Sequence, residues 1–339
     1  MRKLCGSISP STGRGPTRIF RLLMTMAPLL GAILVVSPGA AMGRAHEDSP
    51  APLPLPWGAY GHGIASRAAV LHLPAGMPAF FRSAEAQLEY LGPEPDRWRS
   101  RELKEMDDAW EYDHYIDLEN VPAGAMEASD RYEFIAALYA AGIERPQQNV
   151  GFLPWRILEV YQRLTTEFAL WRNMEGDPEQ RFVEARILND AGILGHYAAD
   201  AAQPHHTTIH FNGWAEGTPN PRGFTTSRDF HSRFESAFTE AHVTMQDVDA
   251  LMAPTPMEIE NARKAIWVHV RASNATVELQ YELELEFGFD PHQAPHPEVK
   301  DFVVQRLTAG AEMLRALWWS AWKESEGLAA RRRAEGWGE

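Results

Sequence analysis

Along most of this chain, apolar residues return every three or four positions, the spacing that stacks side chains on one face of a helix. Ile157, Leu158, Tyr161, Leu164, Phe168 and Trp171 follow that period and predict a helix from Trp155 to Trp171. A second helix is predicted from Phe182 to Ala202, stopping before Pro204, and a third from Asp229 to His242. Thr255-Pro-Met-Glu258 has the form of a capping box with proline at the first helical position, predicting a helix that opens there and runs into the 280s. The last helix is expected from Glu298 to Trp322, with Phe302, Val303, Leu307, Leu314 and Leu317 on one stripe. Alternating strand-like runs are nearly absent, so the expected class is all-α, a single multi-helix domain. The stretch from His210 to Ser227 is rich in Gly, Pro, Asn and Thr and reads as a loop. Residues 326–339, with Arg331-Arg-Arg333, are expected to be a polar, solvated tail.

The first 56 residues do not share this pattern. Arg2, Lys3, Arg14, Arg18 and Arg21 precede an apolar run from Leu22 to Val36, followed by the small residues of Ser37-Pro-Gly-Ala-Ala41. That order is expected of a secretory signal peptide, here 1–44, and implies a secreted or periplasmic protein. The apolar run is shorter than the ~20 residues of a membrane span, so no transmembrane segment is expected in the mature chain. Residues 45–56 end in Pro-Leu-Pro-Leu-Pro and read as an extended proline-rich linker or pro-segment. The domain proper is then expected at 57–325.

Composition narrows the chemistry. The one cysteine, Cys5, lies in the leader, so the mature chain has no disulfide and relies on core packing or metal. The whole chain holds 32 Lys and Arg against 46 Asp and Glu. Residues 57–339 hold 26 against 44, a net −18. Such a surface repels polyanions at long range and argues against a module that coats nucleic acid. It leaves room for an enzyme whose bound cations supply local positive charge. A monomer is expected.

Two short runs carry the candidate chemistry. His196-Tyr-Ala-Ala-Asp200 and His231-Ser-Arg-Phe-Glu235 each place an imidazole and a carboxylate four residues apart, on one helical face. His206 follows six residues after Asp200, and Asp96 and His114 lie upstream. Imidazole and carboxylate are the usual ligands of catalytic zinc, and helical bundles build such sites from inward-facing side chains. Neighbouring ions can share a bridging carboxylate and a hydroxide, and metal binding lowers the pKa of water to about 7. A phosphodiester is the natural target of that nucleophile. His205 is set aside: the ten-residue step from His196 favours His206, leaving His205 as a surface group or a neighbour of the ligands. His72, His210, His242, His269, His292 and His296 have no partner spacing and are expected to be ordinary polar residues.

Six motifs in order carry a resemblance. Trp57-Gly-Ala-Tyr-Gly-His62, Pro95-Asp-x-x-Arg99, His114-Tyr-Ile-Asp117, Gly195-His-x-x-x-Asp200, Gln203-Pro-x-His206 and His231-x-x-x-Glu235 resemble the superfamily of zinc-dependent phospholipases C and fungal-type single-strand nucleases. The four-residue gap from Trp57 to His62 and His114-Tyr-Ile-Asp117 are similar to the nucleases. Phe230-His-Ser-Arg-Phe-Glu235 and Gln305-Arg-Leu-Thr-Ala-Gly310 are similar to the phospholipases.

The resemblance implies three zinc ions. Asp96, His114, His196 and Asp200 would bind one; His206, His231 and Glu235 a second; His62, Asp200 and the amino and carbonyl groups of Trp57 a third. It further implies that Asp96 orients or deprotonates the attacking water and that Arg99 neutralises phosphate charge. Tyr115 and Asp117 would contact substrate. One departure stands out: the third ion needs Trp57 as a free N-terminus, whereas Pro56 precedes it here. The expected activity is phospholipase C-like hydrolysis of phosphodiester bonds by a zinc-bound hydroxide, with single-strand-specific cleavage of DNA or RNA as the alternative. Substrate is thus a phospholipid headgroup or a single-stranded nucleic acid. A helical binding protein with structural zinc is the third reading. A structural site would be closed by four protein ligands, whereas His206, His231 and Glu235 supply three.

Overall fold

The apolar stripes become helices whose ends are set by partners far away in sequence. A computed structural model describes residues 58–100 and 102–336; all lie within one compact unit, 52–339. The expected signal peptide, the proline-rich linker and Trp57 lie outside the described residues. The helices that position the site are α1 (Gly58–Leu71), α2 (Glu85–Leu91), α3 (Arg131–Ala140), α4 (Leu153–Asn173), α5 (Gln180–Asp200), α6 (Ala262–Asn274), α7 (Val277–Glu286) and α8 (Pro297–Ala334). Among the described residues the only β-type pairings are isolated bridges, Ile116 with Gly151 and Phe211 with Gly213, so the class is all-α. No helix there is long and apolar enough to cross a membrane.

Helices α4, α5 and α8 pack on one another, and α1 lies against α5 and α8. Their shared faces build a core that includes Leu164, Phe168, Ile187, Leu194, Leu317 and Trp318, all fully or nearly fully buried. A second apolar cluster, with Phe230, Phe234, Phe238, Tyr281 and Phe289, holds the 230–242 helix against α7 and α8. Burying each of these side chains stabilises the fold by about 1.5–3 kcal/mol. Ala198 belongs to the first cluster and Ala199 to the second, so the C-terminal end of α5 stands where the two meet. Asp200 is its last residue.

Three expectations change. No helix opens at Thr255: residues 253–261 are irregular, because the fully buried Arg315 of α8 draws in the carbonyl oxygens of Ala253 and Thr255 at 2.8 and 2.9 Å. The helix begins instead after Asn261, whose side chain accepts the N–H of Lys264. It ends at Asn274, and α7 starts afresh at Val277. The last helix does not stop at Trp322 or leave a loose tail. It continues to Ala334, with Ser325 and Ala329 buried against the end of α4, where Arg172 donates to Ser325 Oγ at 2.8 Å. Finally, the 230–242 helix is not uniform, since Arg233–Phe238 forms a π-helical turn. Such turns widen a helix locally and recur at functional sites.

Candidate metal centre

The site is assembled from one face of α1, the turn at Pro95–Trp98, the 111–117 segment, the end of α5, the turn at Pro204–Thr207 and the 230–242 helix. Each brings a histidine or a carboxylate. His62, Asp96, His114, His196, Asp200, His206 and Glu235 are all at most 4 % exposed. Burying so many ionisable groups costs several kcal/mol apiece unless charge and hydrogen bonds are matched.

Close approach of main chains makes the convergence possible. Gly92 ends α2, and a Cβ on it would stand 2.7 Å from the carbonyl oxygen of His62. The His62 and His196 rings then stack with centroids 3.9 Å apart. Gly151 has φ +82°, and a Cβ there would fall 2.3 Å from the carbonyl oxygen of Tyr115, so only glycine lets the 111–117 segment run alongside. That segment is registered by Phe152 N–H to Tyr112 O, Leu153 N–H to Tyr115 O and Ile116 N–H to His206 O. Beneath it, the buried Asp113 pairs with Arg131 of α3 and Arg156 of α4.

Main-chain carbonyls fix the imidazole tautomers. His196 Nδ1–H donates to Gly92 O at 3.0 Å, His206 Nδ1–H to His114 O at 2.6 Å, and His231 Nδ1–H to Phe211 O at 2.9 Å. A carbonyl only accepts, so each Nδ1 carries a hydrogen, and Nε2 is the nitrogen left to offer a lone pair to a metal. This is how metal-binding histidines are customarily oriented.

The inward atoms fall into three groups: His62, His196 and Asp200; Asp96, His114 and His196; and His206, His231 and Glu235. His114 Nδ1 and His196 Nε2 are 2.9 Å apart, and they stand 3.1 and 3.2 Å from Asp200 Oδ2. Ligand atoms around a tetrahedral ion with bonds of about 2.0–2.1 Å are separated by about 3.3 Å, so this triangle fits a cation. Asp200 Oδ1 faces the other way, 3.5 Å from His62 Nε2 and 3.4 Å from His206 Nδ1. In the third group, Glu235 Oε2 lies 2.8 Å from His231 Nε2 and 3.6 Å from His206 Nε2.

Several of these atoms have no hydrogen-bond partner in the protein: both oxygens of Asp96, both nitrogens of His62, Asp200 Oδ1 and His206 Nε2. Buried polar atoms are ordinarily paired, so a concentration of unpaired ligand-type atoms is itself evidence for a group that joins them. Each of the three groups could hold a metal ion.

The electrostatics show the same frustration. Burial raises the Asp96 carboxyl to about 7, and Asp200 pushes the same way against His196. Burial would also raise Asp200 and Glu235, but the neighbouring imidazoles hold both well below the usual carboxylate range: His196 and His206 for Asp200, His231 and His206 for Glu235. Burial lowers His62, helped by His196, and lowers His114 to about 4. For His206 burial is overcome by Asp200 and Glu235, which raise it to about 9. Protons thus stand in here for positive charge that a cation would supply.

No protein-family model, curated protein or solved structure matches this chain. The site therefore stands on its own geometry.

A pocket of ≈ 400 Å³ opens over the third group. Arg99, 41 % exposed and 3.8 Å from Asp96 Oδ1, borders it, as do the Tyr115 ring and Asp117. The Tyr115 hydroxyl is spent on Gln148 O at 2.9 Å, leaving the ring as a wall. Burial, then Glu119, raises Asp117 to about 7. Trp57 lies outside the described residues.

Some neighbours escaped the sequence reading. His205 is not a surface group: it is 1 % exposed, stacked on His231 with centroids 5.2 Å apart and enclosed by Phe230, Phe234 and Tyr281. Glu111, Phe211 and Arg228 also line the pocket, and no spacing rule points to them. His210, by contrast, stacks on Trp214 and belongs to none of the three groups.

Proposed function

We propose that this protein is a zinc-dependent hydrolase of phosphodiester bonds with phospholipase C-like action. The observation that carries the reading is the convergence of three His and carboxylate groups, the third of which lines a pocket that Arg99 and Arg228 border. Zinc suits ligand sets of imidazole and carboxylate, and in catalytic sites it leaves a position open. His206, His231 and Glu235 supply three ligands and face the pocket, as an open site requires. When bound, zinc supplies Lewis acidity and a lowered pKa for water at neutral pH.

The chain's own residues have definable tasks. Arg99 meets the phosphate at the mouth and offsets its charge. Asp96, with both oxygens unpaired, takes a proton from the attacking water as its oxygen bonds to phosphorus. The bond from phosphorus to the glycerol oxygen breaks, and that oxygen leaves as the alcohol once protonated. Products are a diglyceride and the phosphorylated headgroup. Glu111 gives the pocket a carboxylate that complements a cationic headgroup, Asp117 adds acceptor oxygens that a nearby cation would favour as carboxylate, and the net negative charge disfavours a polyanion.

A second reading, cleavage of single-stranded nucleic acid, rests on the rings of Tyr115 and Phe211 at the pocket, since aromatic faces stack on bases. Parallel assays decide. Purified protein is stripped with chelator, reloaded with zinc, and tested on phosphatidylcholine vesicles and on single-stranded DNA. Zinc-restored release of phosphocholine is the expected result. Zinc-restored DNA cleavage alone selects the nuclease reading, and metal uptake with neither activity overturns both.

A further inference from the structure

Gln203 lies between two ligand-bearing elements and is fully buried. Its amide orientation is settled by chemistry. The main-chain N–H of His205 can only donate, and it meets Gln203 Oε1 at 2.7 Å. Gln203 Nε2 therefore faces the other way, 3.1 Å from Glu235 Oε2 and 3.5 Å from His231 Nε2. Glu235 Oε2 is the same oxygen that stands closest to His231 Nε2. The two ends of one amide thus touch both halves of the third group. The oxygen caps the Pro204–Thr207 turn that carries His206, and the nitrogen holds the carboxylate across from it.

We propose that Gln203 is a positioning residue for the His206, His231 and Glu235 group, fixing the rotamer of Glu235 so that Oε2 meets the two imidazoles. This rests on the reading of that group as a metal site. Glu235 sits in the π-helical turn, where the main chain departs from regular helix, so its side-chain direction needs an outside anchor. Partners that orient ligands in this way are commonly worth 10–100-fold in metal affinity.

Two variants of the full chain separate anchoring from capping. Gln203→Glu keeps an oxygen for the His205 N–H but sets an acceptor against Glu235. Gln203→Met keeps the length and removes both bonds. Three readouts apply: thermal unfolding of the chelator-stripped protein followed by far-UV circular dichroism, zinc affinity by chelator competition, and the absorption spectrum of the cobalt-substituted protein, which reports ligand arrangement. Gln203→Glu is expected to keep the parent's helix content while one ion binds about 10–100-fold more weakly and the cobalt bands shift. Gln203→Met is expected to show the same weakening and a lower Tm. If Gln203→Met does not fold, Gln203→Glu decides, because it preserves the cap. Unchanged or tighter zinc binding with a parental cobalt spectrum in Gln203→Glu overturns the positioning role while leaving the parent's zinc and activity intact. A parent that takes up no zinc overturns the metal reading and this proposal with it.

Discussion

The Nδ1–H of His206 donates to the main-chain oxygen of His114 at 2.6 Å, and the main-chain oxygen of His206 accepts the N–H of Ile116 at 2.8 Å. Two candidate ligands of different groups are thereby clasped through main chain. The clasp consumes His206 Nδ1 alone, and leaves His206 Nε2 facing Glu235 and His114 Nδ1 facing Asp200. The 111–117 segment and the 204–207 turn are consequently tied to each other at two points.

Asp200 is the side chain on which most of the site converges. One oxygen faces His62 and His206, the other His114 and His196. On the proposed zinc-hydrolase reading, Asp200→Ala should therefore lose metal and hydrolysis together, by more than the roughly 100-fold seen when only a supporting partner is lost. Metal content by mass spectrometry and turnover under saturating zinc test this. A variant that keeps both its metal and its rate would refute the hub role.

Asp113 supports the centre from below. Its carboxylate is 1 % exposed and pairs with Arg131 and Arg156, whose side chains are 16 % and 17 % exposed. Removing one partner of a wholly buried pair costs about 3–5 kcal/mol, and the partly open arginines reduce this. Asp113→Asn should cost about 1–3 kcal/mol in chemical denaturation. It should also loosen the proposed zinc binding, because His114 is the next residue along the chain. A stability loss with parental zinc affinity would show that the 111–117 segment is held by its main-chain bonds alone.

The two i, i+4 pairs were legible because residues four apart on a helix share a face: His196 and Asp200 do so within regular α5, and His231 and Glu235 still do so across the start of the π-helical turn. The supporting bonds were not, because each links residues remote in sequence. Arg315 captures carbonyls 60 and 62 residues away and abolishes the helix that Thr255-Pro-Met-Glu258 predicts. The π-helical turn around Glu235 is likewise invisible to a period of 3.6. For His205 the spacing leaves surface and ligand neighbour open, and the choice falls to the second because Phe230 and Tyr281 arrive from other helices to bury it. Asp96 and His114 carry no periodic signal, being on a short turn and an irregular segment; resemblance rather than pattern pointed to them.

Gly92 tests how much the close approach of main chains matters. Its own conformation suits any residue, so the difficulty of a side chain there is space: a Cβ would stand 2.7 Å from His62 O and 2.9 Å from His62 C. Both are main-chain atoms, so α1 or α2 must shift. Overpacking of this kind typically costs 1–3 kcal/mol. Gly92→Ala should lower Tm accordingly and weaken the proposed zinc binding, since Gly92 O also holds the Nδ1–H of His196. Calorimetry with and without zinc measures both. A smaller zinc-dependent rise in Tm than in the parent is the expected signature, and an equal rise would show that His196 keeps its orientation without Gly92.

A last prediction lies away from the metal centre, where α4 and α5 bury Glu167 and Asp190 at 2 % side-chain exposure each. Arg186 reaches Glu167 Oε1 at 3.1 Å and Arg163 reaches Asp190 Oδ2 at 2.5 Å, but both arginines are more than half exposed. Burial, then the Asp190 charge, raises Glu167 to about 7 in spite of Arg186. An unfolded Glu titrates near 4.3, so between those values the folded chain binds more protons than the unfolded one. Stability from this group is therefore greatest at the acid end of that window and falls as pH rises through it, levelling above 7. Gln at this position carries no titrating proton yet still offers Arg186 an oxygen. Glu167→Gln should be at least as stable as the parent at pH 8 and should lose the parent's gain in Tm on acidification to pH 5. Titrating groups remote from Glu167, including those of the candidate metal centre, are common to both proteins and cancel in the difference between their Tm profiles, which therefore reports Glu167 together with its neighbour Asp190. Parallel profiles from pH 5 to 8 would show that Glu167 remains ionised throughout, held by Arg186.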